Sequence, residues 1–98
     1  LVCPDSCLGH VSAATDTPTL SYWCAFPSRI RTANYTNHRV IDVSHTLDCS
    51  PCLEHEHAAA GHMRGCPLTE LDPNANRYCK GLSSITPQQI LTTIQEIL

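Results

Sequence analysis

The chain has 98 residues, enough for at most one small domain with a modest core. Apolar residues make up 42% and charged residues only 15%, too apolar for a disordered segment and too lightly charged for a solvated tail. The net charge of −3, with six Lys and Arg scattered along the sequence, argues against a nucleic-acid footprint.

The opening Leu1-Val2-Cys3-Pro4-Asp5 has no basic or apolar leader pattern, and no apolar run approaches transmembrane length. It reads like the inside of a strand, so the chain is expected to be a segment of a longer protein, without its own targeting signal. Residues 1–5 are expected to end a buried strand. Asp5-Ser6 then offers cap chemistry for a helix over about Leu8 to Thr15, with Leu8, Val11 and Ala14 on one face. Thr19 to Phe26 is β-prone and almost wholly apolar or hydroxylic, as a strand covered on both faces should be. Strand, helix and strand in quick succession is the βαβ rhythm of a parallel sheet. Pro27 to Asn37 reads as a loop, and His38 to Val43 as a further short strand. Residues 48–82 have little periodicity and are expected to be loops and turns pinned by something other than a core. Thr86-Pro87-Gln88-Gln89 has the form of a capping box with Pro at the first helical position. Ile90, Leu91, Ile94, Ile97 and Leu98 follow on one face of a helix that is expected to dock on the sheet.

The segment Asp5-Ser6-Cys7-Leu8-Gly9-His10 falls where a parallel strand ends and a helix begins. In open α/β sheets ligands bind there, with helix N-terminal amides aimed at phosphate. His10 would donate to a phosphate oxygen. Asp5, itself an anion, would cap the helix or accept from a sugar hydroxyl or backbone amides. The plainer reading makes Asp5 only a cap and His10 only a satisfied polar residue.

Seven cysteines fall into two groups, and the odd number fits poorly with a closed disulfide framework. Cys3, Cys7 and Cys24 lie in apolar sequence and read as small buried hydrophobes. Cys49-x2-Cys52-x13-Cys66-x12-Cys79 punctuates a polar stretch and reads as a tetrathiolate metal finger. Zinc is the default ion and iron the alternative. Four thiolates leave no open coordination position, so the finger would be structural, lending its binding energy to folding. His55, His57 and His62 lie within the loop as substitute ligands. Two disulfides, free thiols, or a redox-active C-x-x-C pair are the competing readings of the same cysteines. Two further classes remain open: a metal-stabilised interaction module without catalysis, and a secreted disulfide protein glycosylated at Asn34-Tyr35-Thr36.

Three stretches together resemble the C-terminal part of the bacterial lipopolysaccharide heptosyltransferase family, glycosyltransferase family 9. Asp5-Ser6-Cys7-Leu8-Gly9-His10-Val11-Ser12-Ala13-Ala14 is similar to the family's Asp-Ser/Thr-Gly-x-x-His-x-x-Ala-Ala motif. Thr17-Pro18-Thr19-Leu20 resembles the entry to its next strand. His45-Thr46-Leu47-Asp48-Cys49-Ser50-Pro51-Cys52, then Cys66-Pro67, Cys79 and the helix after Ile85-Thr86-Pro87, resemble its cysteine-bearing tail. The resemblance implies a GT-B architecture, in which a Rossmann-like C-terminal domain holds the donor, typically an ADP-sugar. The acceptor is usually lipopolysaccharide core; the related autotransporter heptosyltransferases carry a similar finger that holds iron. By carry-over, Asp5, Ser6, Cys7, Leu8 and His10 would line the donor site. Cys7 stands where the family has Gly, and Cys24-Ala25-Phe26-Pro27-Ser28 replaces its Gly-Pro-Thr.

The expected organisation is therefore α/β. Residues 1–47 would end the donor-binding domain, 48–82 would form the finger, and 83–98 the C-terminal helix. The catalytic base and acceptor site would lie in an N-terminal domain of the same cytoplasmic enzyme, peripheral at the inner membrane if membrane-associated.

Overall fold

The structure, a computed structural model, describes residues 1–52 and 79–98. Three parallel strands form a sheet in the order β1 (Val2–Pro4), β2 (Thr19–Trp23), β3 (His38–Asp42). The register sets Cys3 beside Ser21 and Ser21 beside Val40. Between the strands run α1 (Cys7–Ala14) and the single turn α2 (Arg29–Thr32); α3 (Lys80–Ser83) and α4 (Pro87–Ile97) follow the cysteine region. The α/β class and the parallel βαβ order agree with the sequence pattern. No described helix is long and apolar enough to cross a membrane.

The core centres on β2. Leu20 and Ser21 are consecutive and both essentially inaccessible, and successive strand residues point to opposite faces, so β2 is covered on both sides. Cys3, Trp23, Cys24 and Val43 complete the buried apolar set among the described residues. β1 is less enclosed than expected. Cys3 is buried, but Val2 is 46% exposed, because β2 lies along one side of β1 and no described strand lies along the other.

α1 also departs from expectation. Its inward residues are Gly9 and Ser12, while Leu8 and Val11 stand 54% and 59% exposed. The packed face lies one residue, about 100° of helix rotation, from the apolar stripe. Small residues allow the close approach: a Cβ on Gly9 would already sit 3.7 Å from the Cys3 sulfur and 3.8 Å from the His38 ring. Ser12 Oγ donates to the Gly9 carbonyl at 2.8 Å, so its hydroxyl enters the interface satisfied.

At the N-terminal ends of β2 and β3, two residues adopt left-handed backbone, Asp16 at φ 53° and Asn37 at φ 45°. Asp and Asn tolerate that region best among non-glycine residues. The two are joined, since Asn37 Nδ2 donates to the Asp16 carbonyl at 3.0 Å. Asn37 in turn accepts from the Thr19 amide, which starts β2.

The C-terminal helix forms as its cap signals dictate. Gln89 N donates to Thr86 Oγ1 at 3.2 Å and Thr86 N donates to Gln89 Oε1 at 2.7 Å, with Pro87 at the first position. α4 packs on β2 and β3. Its stripe is only partly covered: Ile90, Ile94 and Ile97 are half-buried, while Leu91 is exposed. α2 and α3 fall in stretches expected to be loops. Each is a single turn, too short to show an apolar period.

Candidate functional site

The C-terminal ends of the three strands share one edge of the sheet, and the motif-bearing residues gather there. The Asp5 amide donates to the Tyr22 carbonyl at 3.1 Å, which extends the β1–β2 ladder by one step and fixes where the chain turns into α1. Ser6 is the N-cap in extended conformation, but its side chain makes no cap hydrogen bond. Asp5 Oδ2 is buried and has no partner among the described residues, and the buried Ser6 hydroxyl has only the Cys3 thiol beside it. A buried polar group without a partner is costly, so an unpaired carboxylate oxygen beside a hydroxyl that caps nothing is the site's most informative feature.

Asp5 does not cap the helix. Its Oδ1 instead pairs with Arg31 Nη1 at 3.3 Å, and the Arg31 guanidinium lies 4.9 Å above the Phe26 ring. α2 thus delivers a cation to the strand–helix junction. Sequence reasoning missed it, because the only local signal is a basic residue in a stretch without periodicity. Cys7, expected to be buried, is exposed at the first position of α1 among the described residues. Leu8 is exposed beside it.

His10 is held from the opposite side. Its Nδ1 bonds the Tyr35 hydroxyl, and the two rings meet edge to face. Tyr35 also lies against the His38 ring, with centroids 5.3 Å apart. His38 Nε2 bonds Ser21 Oγ at 2.7 Å, and Trp23 Nε1 donates to the same oxygen at 2.6 Å. Burial, and then the nearby His10, lower the His38 pKa below its usual value, favouring a neutral ring. The result is a polar chain running from α1 into the core. None of its members except His10 was singled out in the sequence.

Asp42 organises the other side of the edge. Its Oδ2 accepts from the Ser28 amide at 2.7 Å and its Oδ1 from the Ser44 amide at 2.9 Å. Burial pushes the carboxyl pKa up, but hydrogen bonds from Ser28 and Ser44 outweigh it and leave the pKa below the usual value. The loops after β2 and β3 are therefore tied to one carboxylate.

The cysteines follow a partly different plan from the one expected. Cys66, His55, His57 and His62 lie outside the described residues. Cys49 and Cys52 are half-buried, Cys79 is exposed, and every described cysteine is a free thiol. Cys24 is buried as expected, but its sulfur meets that of Cys79 at 3.6 Å. Burial, then Cys79, Cys52 and Cys49, push the Cys24 thiol pKa up to about 12. Among the described residues no three potential ligands already converge as a metal cage. The donor chemistry nonetheless suits a thiophilic ion, since tetrahedral zinc or iron takes sulfur ligands drawn from separate loops. A separate groove of about 410 Å³ between β3 and α4, lined by Val40, Ile41, Thr86 and Gln89 among others, contains no candidate site residue.

No curated protein and no solved structure matches the chain. A family model does: that of glycosyltransferase family 9 (heptosyltransferase) matches residues 1–62, a span that takes in all of the strand–helix junction and the Cys49–Cys52 pair. With well over half of its length matched, the chain belongs to glycosyltransferase family 9.

Proposed function

We propose that the protein containing this chain transfers a heptose-like sugar from an ADP-sugar to a lipopolysaccharide-core or protein acceptor. The observation that carries this reading is the buried Asp5 Oδ2, without a partner among the described residues, beside a Ser6 hydroxyl that caps nothing, at the N-terminus of α1 in a family 9 chain. The helix amides and the Ser6 hydroxyl would receive the diphosphate, whose charge grows as it leaves. Asp5, neutralised on one side by Arg31, would accept from a hydroxyl of the sugar or ribose. Leu8 and Cys7 would bound the same site, and His10, oriented by Tyr35, would donate to the phosphates.

In the transfer, the acceptor oxygen forms a bond to the anomeric carbon as the bond from that carbon to the diphosphate oxygen breaks. The acceptor proton passes to a general base outside this chain, and ADP departs. Anomeric configuration is inverted. We place the reaction on the cytoplasmic side, peripheral to the inner membrane. A structural zinc or iron ion, bound by the cysteines of the tail (Cys49, Cys52, Cys66 and Cys79 on spacing alone), would order the region between β3 and α4 and supply no step.

The test incubates the full-length protein with an ADP-sugar and lipopolysaccharide core, following products by NMR. The expected result is release of ADP with a new glycosidic bond of inverted configuration. Equal or faster turnover of UDP- or GDP-sugars, or no consumption of any ADP-sugar, would overturn the reading.

A further inference from the structure

We propose that Arg31 binds the donor's diphosphate, so that the phosphates are held between the amides at the start of α1 and a guanidinium brought in by α2. The inference deepens the donor-site reading and rests on it, adding a specificity-determining residue from outside the motif that suggested the site.

Three contacts place the guanidinium at the strand–helix junction. The Ser28 amide donates to Asp42 Oδ2 at 2.7 Å, which anchors the start of α2 to the end of β3. Thr32 Oγ1 donates to the Ser28 carbonyl at 3.0 Å and tightens the same turn. The Phe26 ring, 4.9 Å from the Arg31 guanidinium carbon, supports one face of the guanidinium. A ring against that face does not compete for the N–H groups, which lie in the guanidinium plane.

Asp5 uses little of this donor capacity. The pair is a single contact, Nη1 to Oδ1 at 3.3 Å. Strong charged hydrogen bonds are shorter, about 2.7–2.9 Å, and a guanidinium and carboxylate matched to each other alone meet fork to fork. Here the second oxygen, Asp5 Oδ2, is buried without a partner among the described residues. The Arg31 side chain stays 36% exposed and that of Asp5 only 13%, so the cation keeps donors on the solvent side, where a ligand enters.

The charges call for the same arrangement. Asp5 beside a diphosphate brings two anions together, and a guanidinium shared between carboxylate and phosphate cancels that repulsion while orienting both. Helix N-terminal amides provide for one phosphate. A guanidinium on the neighbouring turn gives the other its own donors, which selects a diphosphate over a monophosphate.

The experiment measures binding of an ADP-sugar, ADP and AMP to the full-length protein by calorimetry, unmodified and as Arg31→Gln, Arg31→Lys and Arg29→Gln. Arg29 lies on the same turn, so its substitution removes the same charge without breaking the pair with Asp5. We expect Arg31→Gln to weaken the ADP-sugar and ADP about tenfold or more, and AMP less than about threefold. Arg31→Lys, which keeps the charge but not the fork, should fall between, and Arg29→Gln should match the unmodified protein. Should Arg31→Gln fail to fold, the same comparison of ADP with AMP in Arg31→Lys decides. Unchanged ADP binding in Arg31→Gln overturns the contact and leaves the donor site standing. Equal weakening of ADP and AMP reduces Arg31 to a support for Asp5, and an equal loss in Arg29→Gln reduces it to part of a general positive field; either result overturns the proposal. No nucleotide binding by the unmodified protein overturns the donor-site reading and this proposal with it.

Discussion

Asp42 holds two loops with one carboxylate. By accepting from the Ser28 and Ser44 amides it fixes the segment that carries Cys24 to Arg31 and the segment that leads to Cys49. Its folded pKa lies below the usual 3.8, so folding favours the ionised form. That contribution is complete above the unfolded value and is lost as pH falls through the lowered folded value. Asp42→Asn keeps a shape that can accept one amide but removes the charge. It should cost about 1 kcal/mol at neutral pH, the net worth of an ordinary hydrogen bond and below that of bonds to buried charged groups, because the residue is exposed. The variant should also flatten the acid side of a stability–pH curve, read from urea midpoints. Asp5, Ser6, Leu8 and His10 were legible from the sequence because they lie within one local motif. Arg31, Tyr35 and His38 were not, since each meets its partner 17 to 26 residues away along the chain and only the folded sheet brings them together.

Among the elements, the best-specified is α4. Its start depends on reciprocal bonds between Thr86 and Gln89, three residues apart, so the sequence contains the whole signal. Thr86→Ala should cost about 1 kcal/mol, seen as a lower urea midpoint with an unchanged slope. The strands were equally readable, because β-branched and apolar runs bounded by turn residues need no long-range information. α1 shows where that approach stops. Its helix was foreseen, but its buried face was not, since hydrophobicity pointed to Leu8 and Val11 while close packing on β1 and β2 selected Gly9 and Ser12. Single turns such as α2 and α3 carry no period at all.

At the scale of the whole molecule, the end of β2 joins the two halves of the chain's chemistry. Tyr22 anchors the turn into α1 through its carbonyl, and two residues later Cys24 meets Cys79. That contact seats the start of α3 against the same strand end whose edge presents Asp5 and Ser6. If the tail binds the proposed ion, chelation should weaken donor binding indirectly, while Asp5→Asn should leave metal content unchanged. The parallel sheet, and the gathering of Asp5, Ser6 and His10 at its C-terminal edge, followed from the βαβ pattern. The meeting of Cys24 with Cys79 did not, because apolar sequence around Cys24 gives a buried thiol and says nothing of its neighbour.

Calorimetric titration of the full-length protein with an ADP-sugar tests the central claim most directly, using Asp5→Asn and Ser6→Ala as controls. One saturable site per chain is predicted, weakened about tenfold or more by either substitution, as expected when a buried hydrogen-bonding group loses its role. No binding by the unmodified protein, or binding indifferent to both substitutions, would contradict it.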